Sequence, residues 1–498
     1  MNKIKGIHFY VNVLNMMSII KEEQEKDEDL KRTIHRLQTY FCGFSKLLSI
    51  FGATLEKYTG ARGHVVFEVD EDDIKDEITK VFKTIVACFI YNNEIFNTIS
   101  KYSQYNYTDF KVHAGMDYGS FAWYEIDEFK ETEEQTTIGA VANNSAKIQT
   151  YAGKNMIYIM DRLYKKLPLD IKERFNELTE EEMEELSGKI KDSKIYKVEY
   201  SEIFDVDTME EIREELKTVE TRVNDEANKL KIGEISFSGA TKRINFSKVS
   251  INNNKKFDGG VLCADIRGFT KLFHKTDGNL DDLSDVIKEI YSIMGETTEE
   301  DDGVKVQYQG DRIVAIFHDF QDSTDYRIRM LRCAFNINEK IQELAQRFDI
   351  QEKLKQNNIS VGIGCAIGNI IATRLGSNGN KDNIILSYSS TTADKCEDRY
   401  ADSNEVVICK TLHDEIVAEV ANSSSNEYEV LKEAFVAIAT TGYYTSSLLL
   451  TEFVEKVREK EQAKASQKAK ELFKAGFIKN SEGESVNVQT RPWGTRYE

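Results

Sequence analysis

Two aspartates stand where carboxylate chemistry is easy to build. Residues 261–270 read VLCADIRGFT. The run 261–264 is too short for a helix and apolar on both faces, so it reads as a buried β-strand that ends at Asp265. Ile266 to Thr270 then turn through a glycine into the next helix, and backbone N–H groups at Gly268, Phe269 and Thr270 can hold phosphate oxygens there. Roughly 40 residues on, VKVQYQGDRIVAIF at 304–317 gives two β-rich runs interrupted by Gly310-Asp311, as a hairpin turn requires. If the two strands are neighbours, Asp265 and Asp311 meet at one end of a sheet. Two carboxylates there suit a pair of Mg²⁺ ions, which lie about 3.5–4 Å apart in two-metal sites. Taken singly, an aspartate after an apolar strand suits a turn or a helix cap equally well.

The elements that must position these residues occur twice. In the first half, residues 4–13 read as a strand and 21–51 as a charged, then amphipathic, helical run. Residues 55–69 read as strand-turn-strand, 70–102 as helix, 107–123 as β-rich, and 136–150 as a turn followed by a helix. The same order returns in the second half: Val112 falls over Val361, Gly60 over Gly310 and Ser145 over Ala393, each about 250 residues apart, which marks an internal duplication. Between the copies, residues 201–254 are expected to form a charged helical connector and a polar linker. Residues 451–498 are expected to form a charged helix and a mobile tail.

Composition limits the partners. The chain has 498 residues and a net charge of −19, from 66 Lys and Arg against 85 Asp and Glu. That acidity argues against general nucleic-acid binding. The seven cysteines show no C-x-x-C spacing and lie largely in apolar runs, as expected for free thiols in a reducing cytosol. The N-terminal apolar run is interrupted by His8, Asn12 and Asn15, unlike a signal peptide, and no stretch of about 18 apolar residues offers a membrane span.

Together, Ala264-Asp265-Ile266-Arg267-Gly268-Phe269-Thr270 and Gly310-Asp311 resemble the class III nucleotide cyclase catalytic domain. The resemblance implies an α+β chain of two cyclase domains of ferredoxin-like βαββαβ type, at 1–200 and 255–450, forming a pseudo-heterodimer. It implies two divalent metal ions, Mg²⁺ or Mn²⁺, at Asp265, Ile266 and Asp311. Class III sites lie between two domains, so the first copy is expected to complete the site. Its Ala142-Asn143-Asn144-Ser145-Ala146-Lys147 is similar to the family's V-N-x-A-x-R helix, which places Asn143 and Lys147 on one helix face in catalytic roles. The second copy reads Thr391 and Lys395 at those positions, and the first copy reads Tyr10 and Ala61 where the metal aspartates stand. Lys147 in place of Arg keeps a point charge but loses the bidentate fork.

By the same resemblance Lys57 and Thr136 contact the base, with Tyr58 and Arg62 beside them. Arg374, Gly268, Phe269 and Thr270 hold phosphate, together with one of Lys189, Lys191 and Lys194. Adenylate cyclases of the family carry Lys with Asp at the base positions, and guanylate cyclases carry Glu with Cys. Lys57 with Thr136 matches neither, and donor-only Lys57 can meet O2 of a pyrimidine or N3 of cytosine. Tyr308 to Arg312, YQGDR, resembles the bacterial anti-phage pyrimidine cyclases of the Pycsar type. The implied reaction makes cyclic CMP, slightly ahead of cyclic UMP, from the pyrimidine triphosphate, with a separate cyclic-nucleotide-binding effector downstream. An adenylate or guanylate cyclase and a non-catalytic nucleotide-binding scaffold are the alternatives.

Overall fold

The structure, a computed structural model, describes residues 2–25, 30–99, 102, 107–126, 134–186, 190, 193–268, 280–354, 358–377, 380–423 and 425–475. Its strands are β1 (Asn2–Val13), β2 (Thr54–Thr59), β3 (Arg62–Glu68), β4 (Val112–Ile126), β5 (Glu134–Ile138), β6 (Met156–Met160), β7 (Asn176–Glu177) and β8 (Ile195–Glu199) in the first half. The second half holds β9 (Phe237–Ser238), β10 (Asn254–Arg267), β11 (Val304–Gln309), β12 (Arg312–His318), β13 (Ser360–Ser377), β14 (Asn380–Leu386), β15 (Glu405–Cys409), β16 (Val436–Ile438) and β17 (Tyr443–Ser446). The first sheet runs β2-β3-β1-β4-β6-β8-β7 and the second β11-β12-β10-β13-β15-β17-β16, with β5 on β4 and β14 on β13. The two orders match strand for strand.

Register corrects one expectation. Asp265 pairs with Arg312 on one side and Gly362 on the other, and in the first sheet the residue so placed is Asn12, between Arg62 and His113. Tyr10 is instead the counterpart of Cys263, since each faces the central glycine of its neighbour strand, Gly115 or Gly364. No motif marks this position in the first copy, so only the backbone ladder fixes it. Both hairpins turn through a glycine in the left-handed region, Gly60 at φ 60° and Gly310 at φ 66°, where a side chain would be strained. Residue 61 or 311 therefore falls at the same point of each turn.

The apolar faces of the helices decide where the cores sit. Helices Leu280–Glu300 and Tyr326–Gln346 pack on β10–β13, and helices Lys31–Phe51 and Ile74–Ile90 on β1, β3 and β4. The charged connector does not stand apart. In its helix Val206–Lys229, Met209, Ile212, Leu216, Val219, Val223 and Ala227 recur every three or four residues and are all buried in the first core. Asp205 caps that helix, accepting from the Thr208 N–H at 2.9 Å. The C-terminal helix Leu450–Ala475 buries Phe453; the tail expected at 476–498 lies outside the described residues.

The halves exchange core residues. Ile371, Leu375, Ile384 and Leu386 pack into the first core, and Ile138 into the second. Truncating Leu375 to alanine should therefore cost about 2–5 kcal/mol, as fully buried leucines do. Polar bonds cross the same seam: Gln38 Nε2 donates to Gly376 O at 3.0 Å and Tyr58 N–H to Asp382 at 2.8 Å. All seven cysteines are buried and unpaired. No helix among the described residues is long and apolar enough to cross a membrane.

Candidate active site

A cavity of about 660 Å³ opens between the halves. The second half contributes Asp265, Ile266, Gly268, Gln309, Asp311 and Arg312; the first contributes Asn143 and Lys147, with Tyr10, Glu56, Arg62, His64 and Thr137. Residues more than 100 positions apart in sequence thus share one wall-to-wall space.

β10 carries Asp265 differently from the expectation. The strand does not end at this residue but continues to Arg267, held by the Asp265–Arg312 and Ile266–Val361 pairs, and breaks at Gly268, whose φ is 84°. Ile266 N–H donates to Asp311 O at 3.3 Å, which ties the strand to the hairpin turn. Both carboxyls are pushed above the usual aspartate range: burial is the main cause for each, and the Asp265 charge raises Asp311 further. Arg267 opposes the shift, with Nη1 at 3.1 Å from Asp265, and is itself held by Glu397 O at 2.6 Å. The Glu397 carboxyl, buried beside Asp265, is pushed up to about 8.

A half-buried carboxylate that raises the pKa of a buried one beside it makes a site that further positive charge would stabilise. Their oxygens, with the Ile266 carbonyl, form a hard donor set that fits Mg²⁺ or Mn²⁺. Among the described residues no group of three or more acidic, His or Cys side chains is arranged to hold a metal. Mg²⁺ is commonly held by one or two carboxylates plus substrate phosphates, so the pair is sufficient.

Helix Ala140–Tyr151 brings the first half to these acids. Ser145 Oγ bonds His8 O at 2.8 Å, fixing the helix on β1. Asn143 and Lys147, one turn apart, then share the cavity-facing side. The Asn143 side chain hydrogen-bonds Asp311, and both Asn143 and Lys147 lower the Asp311 pKa; Lys147 also lowers that of Asp265.

The base contacts expected at Lys57 and Thr136 are not on the cavity wall. Lys57 is buried between the hairpins, with Nζ donating to Tyr308 O at 2.8 Å. Thr136 is buried with its hydroxyl at 3.2 Å from Gly310 N–H and 3.3 Å from Glu56 Oε1. The wall instead holds Glu56 and Thr137, one residue away in each case. On β2 the cause is a bulge between Leu55 and Lys57, which inserts Glu56 and breaks the alternation assumed in counting back from the turn. On β5 residues 136 and 137 belong to a strand rather than a turn, so they point to opposite faces.

The bulged Glu56 is enclosed. Thr137 donates to it twice, from N–H at 3.1 Å and from the hydroxyl at 2.6 Å, and His8 Nε2 lies 2.9 Å away. No spacing rule pointed to Glu56, His8 or His64; an acid and two histidines on short strands were the available hint.

Arg374 also misses the cavity. β13 continues past Gly368 and pairs Arg374 with Asn383 of β14, where its guanidinium reaches Lys381 O at 3.4 Å. Tyr58 is fully buried, stacked on Phe41 at 3.8 Å, while Arg62 lines the cavity. Lys194 pairs with Glu177 at 2.9 Å on the surface. Phe269, Thr270, Lys189 and Lys191 lie outside the described residues.

The chain is similar to proteins of the nucleotide cyclase family. The profile of the adenylate and guanylate cyclase catalytic domain matches residues 252–437. A protein named uridylate cyclase from Pseudomonas aeruginosa is 23% identical over 412 residues, spanning 79% of this chain and 74% of that protein. The crystal structure of a class III adenylyl cyclase-like ATP-binding protein from Pseudomonas aeruginosa superposes with a TM-score of 0.70 at 18% identity, over 91% of this chain and 90% of that one. That superposition extends the shared fold to both halves.

Proposed function

We propose that this chain, whose second half is a class III nucleotide cyclase domain, converts a pyrimidine nucleoside triphosphate to its 3′,5′-cyclic nucleotide and pyrophosphate in one site shared by its two halves. The observation that carries this reading is the Asn143–Asp311 hydrogen bond, which joins an amide of the first half to a carboxylate of the second inside one cavity. The halves act as a pseudo-heterodimer: the first supplies Asn143 and Lys147, the second Asp265, Ile266 and Asp311.

When bound by those second-half residues, two divalent cations would lower the pKa of the ribose 3′-hydroxyl and neutralise phosphate charge. Asn143 orients the ribose so that O3′ lies in line with the α-phosphorus. Lys147 faces the charge that grows on the α-phosphoryl oxygens. The O3′–Pα bond forms, the bond from Pα to the bridging oxygen breaks, and pyrophosphate leaves with that electron pair toward the turn at Gly268. The 3′-hydroxyl proton passes to water.

The pyrimidine assignment is supported by the uridylate cyclase relative and by the YQGDR hairpin. Of the two pyrimidines we place UTP first, because the relative's name favours it over the cyclic CMP expected from the sequence. The product would serve as a second messenger in anti-phage defence, read by a separate effector. Incubation with each of the four NTPs and Mg²⁺ or Mn²⁺, with products identified by mass, tests the reading. Cyclic UMP or cyclic CMP is expected; chiefly cyclic AMP or cyclic GMP, or no cyclic product, would contradict it.

A further inference from the structure

The cavity wall made by the first sheet holds one buried polar group whose hydrogen-bonding capacity is unspent. His64, 3% exposed, sits on β3 opposite Tyr10 and Lys57 in the strand ladders and lines the cavity. Its Nε2 is buried without a hydrogen-bond partner. The neighbouring His8 meets Glu56 at 2.9 Å and Thr137 at 3.0 Å through Nε2, and its own unpartnered Nδ1 lies off the cavity lining, while the Tyr10 ring packs edge-on against His64 at 4.1 Å. Burial and the nearby Arg62 hold the imidazole well below its ordinary pKa, so it is neutral and offers one donor and one acceptor. Native proteins seldom leave such a group unpaired unless something arrives to pair it.

The duplication supplies an internal control. A second cavity of about 390 Å³ lies between the halves and uses the same strand positions in swapped roles. The register makes Val314 the counterpart of His64, and Ile385 that of Thr137; Val306 occupies the bulge that Glu56 fills in the first half. Val306, Val314 and Ile385 all line that second cavity. Three matched positions are thus aliphatic in one cavity and polar in the one with the aspartates. A core role alone at position 64 would be met by valine, as it is at 314. Arg62 lines both cavities and does not distinguish them.

We propose that His64 is a specificity-determining residue of this site, its ring nitrogen hydrogen-bonding the polar edge of the substrate's nucleobase. Glu56 and Thr137, spent on each other and on His8, frame it and hold its strand in place. The proposal rests on the reading that this cavity takes the nucleotide, and it adds the group that tells one base from another. A site that hydrogen-bonds a base edge rejects bases that leave it unpaired, whereas an aliphatic wall discriminates poorly.

The test measures binding of the α,β-methylene analogues of all four NTPs to the full-length chain, so the ranking can be read whether or not product forms. His64→Val installs the residue found at 314, and His64→Phe keeps a ring without hydrogen bonds; either suffices if the other fails to fold. Each should weaken the preferred nucleotide about tenfold or more and bring the four affinities together, with KM rising while kcat holds. His64→Gln, which keeps a donor and an acceptor, should recover part of the preference. An unchanged ranking in the Val or Phe variant, or a Gln variant as unselective as Val, would overturn the assignment. The mass of the wild-type product judges the cyclase reading separately, since the ranking decides His64 whichever base is preferred.

Discussion

In one cavity between the halves the equivalent strand and turn positions hold Asp265 and Asp311; in the other they hold Asn12 and Ala61. Asn12 has found neutral partners. Its amide meets His113 Nε2 at 3.1 Å, and His113 Nδ1 donates to Ala152 O at 2.7 Å. The aspartates are partnered as well, Asp265 by Arg267 at 3.1 Å and Asp311 by Asn143, yet burial still holds both pKa values above the usual range. A duplicated fold offers two chances to bury a carboxylate pair, and each pair is costly without a cation. Here one cavity keeps the carboxylate charge and the other replaces it with an amide and imidazole that satisfy each other. The helix residues divide the opposite way: Asn143 stands in the half that lacks the aspartates, and Thr391 is its counterpart in the half that has them.

The most severe way to break this asymmetry is to neutralise the charged cavity. Asp265→Ala or Asp311→Ala should lower turnover by about a thousandfold or more, the scale of losing metal-assisted charge stabilisation. The fold should persist, since each change relieves a buried charge; circular dichroism with a steady-state assay checks both.

The closed cavity should instead show itself in stability. Burial holds His113 down to about 4, against an ordinary 6.5. A folded pKa below the unfolded one gives stability that is present above about pH 6.5 and is lost as pH falls toward 4. That window should cost about 3 kcal/mol, and His113→Gln should flatten it. Denaturant unfolding at pH 7.5 and pH 4.5 for both proteins measures the difference.

Removing the first half's contribution comes next in size. Asn143→Ala and Lys147→Ala should each lower kcat by about a hundredfold with a smaller change in KM, as for lost transition-state donors. Their effect should equal in kind that of the aspartates, although they lie in the other half. The smallest effect is expected at the counterparts: Asn12→Ala and Thr391→Ala should leave turnover within about twofold. A deep loss at Thr391 would mean that the second cavity also works.

The residues that meet in the candidate site were legible where a motif fixed their position. Asp265 and Asp311 were read as neighbours from a strand and a G-D turn, and they share the cavity; Asn143 and Lys147 were read from the resemblance of 142–147 to the family's V-N-x-A-x-R helix, and they line it. Positions that depended on counting along a strand were missed. One bulged residue moved the wall from Lys57 to Glu56, and a two-residue shift separated Tyr10 from Asn12. Arg374, expected to hold phosphate, lies away from the cavity because β13 runs on through it to Ser377 and pairs it with β14. The helix at 206–229 looked like a connector because its surface charge hides an apolar stripe only six residues deep. His64 had no motif at all; it emerges only when the two halves are laid over each other.

The measurement that bears most directly on a shared site is the binding stoichiometry of a non-hydrolysable pyrimidine triphosphate in the presence of Mg²⁺. One composite cavity predicts one metal-dependent site per chain, weakened alike by Asn143→Ala in the first half and Asp311→Ala in the second. Two equal sites per chain, or one site indifferent to either substitution, would contradict it.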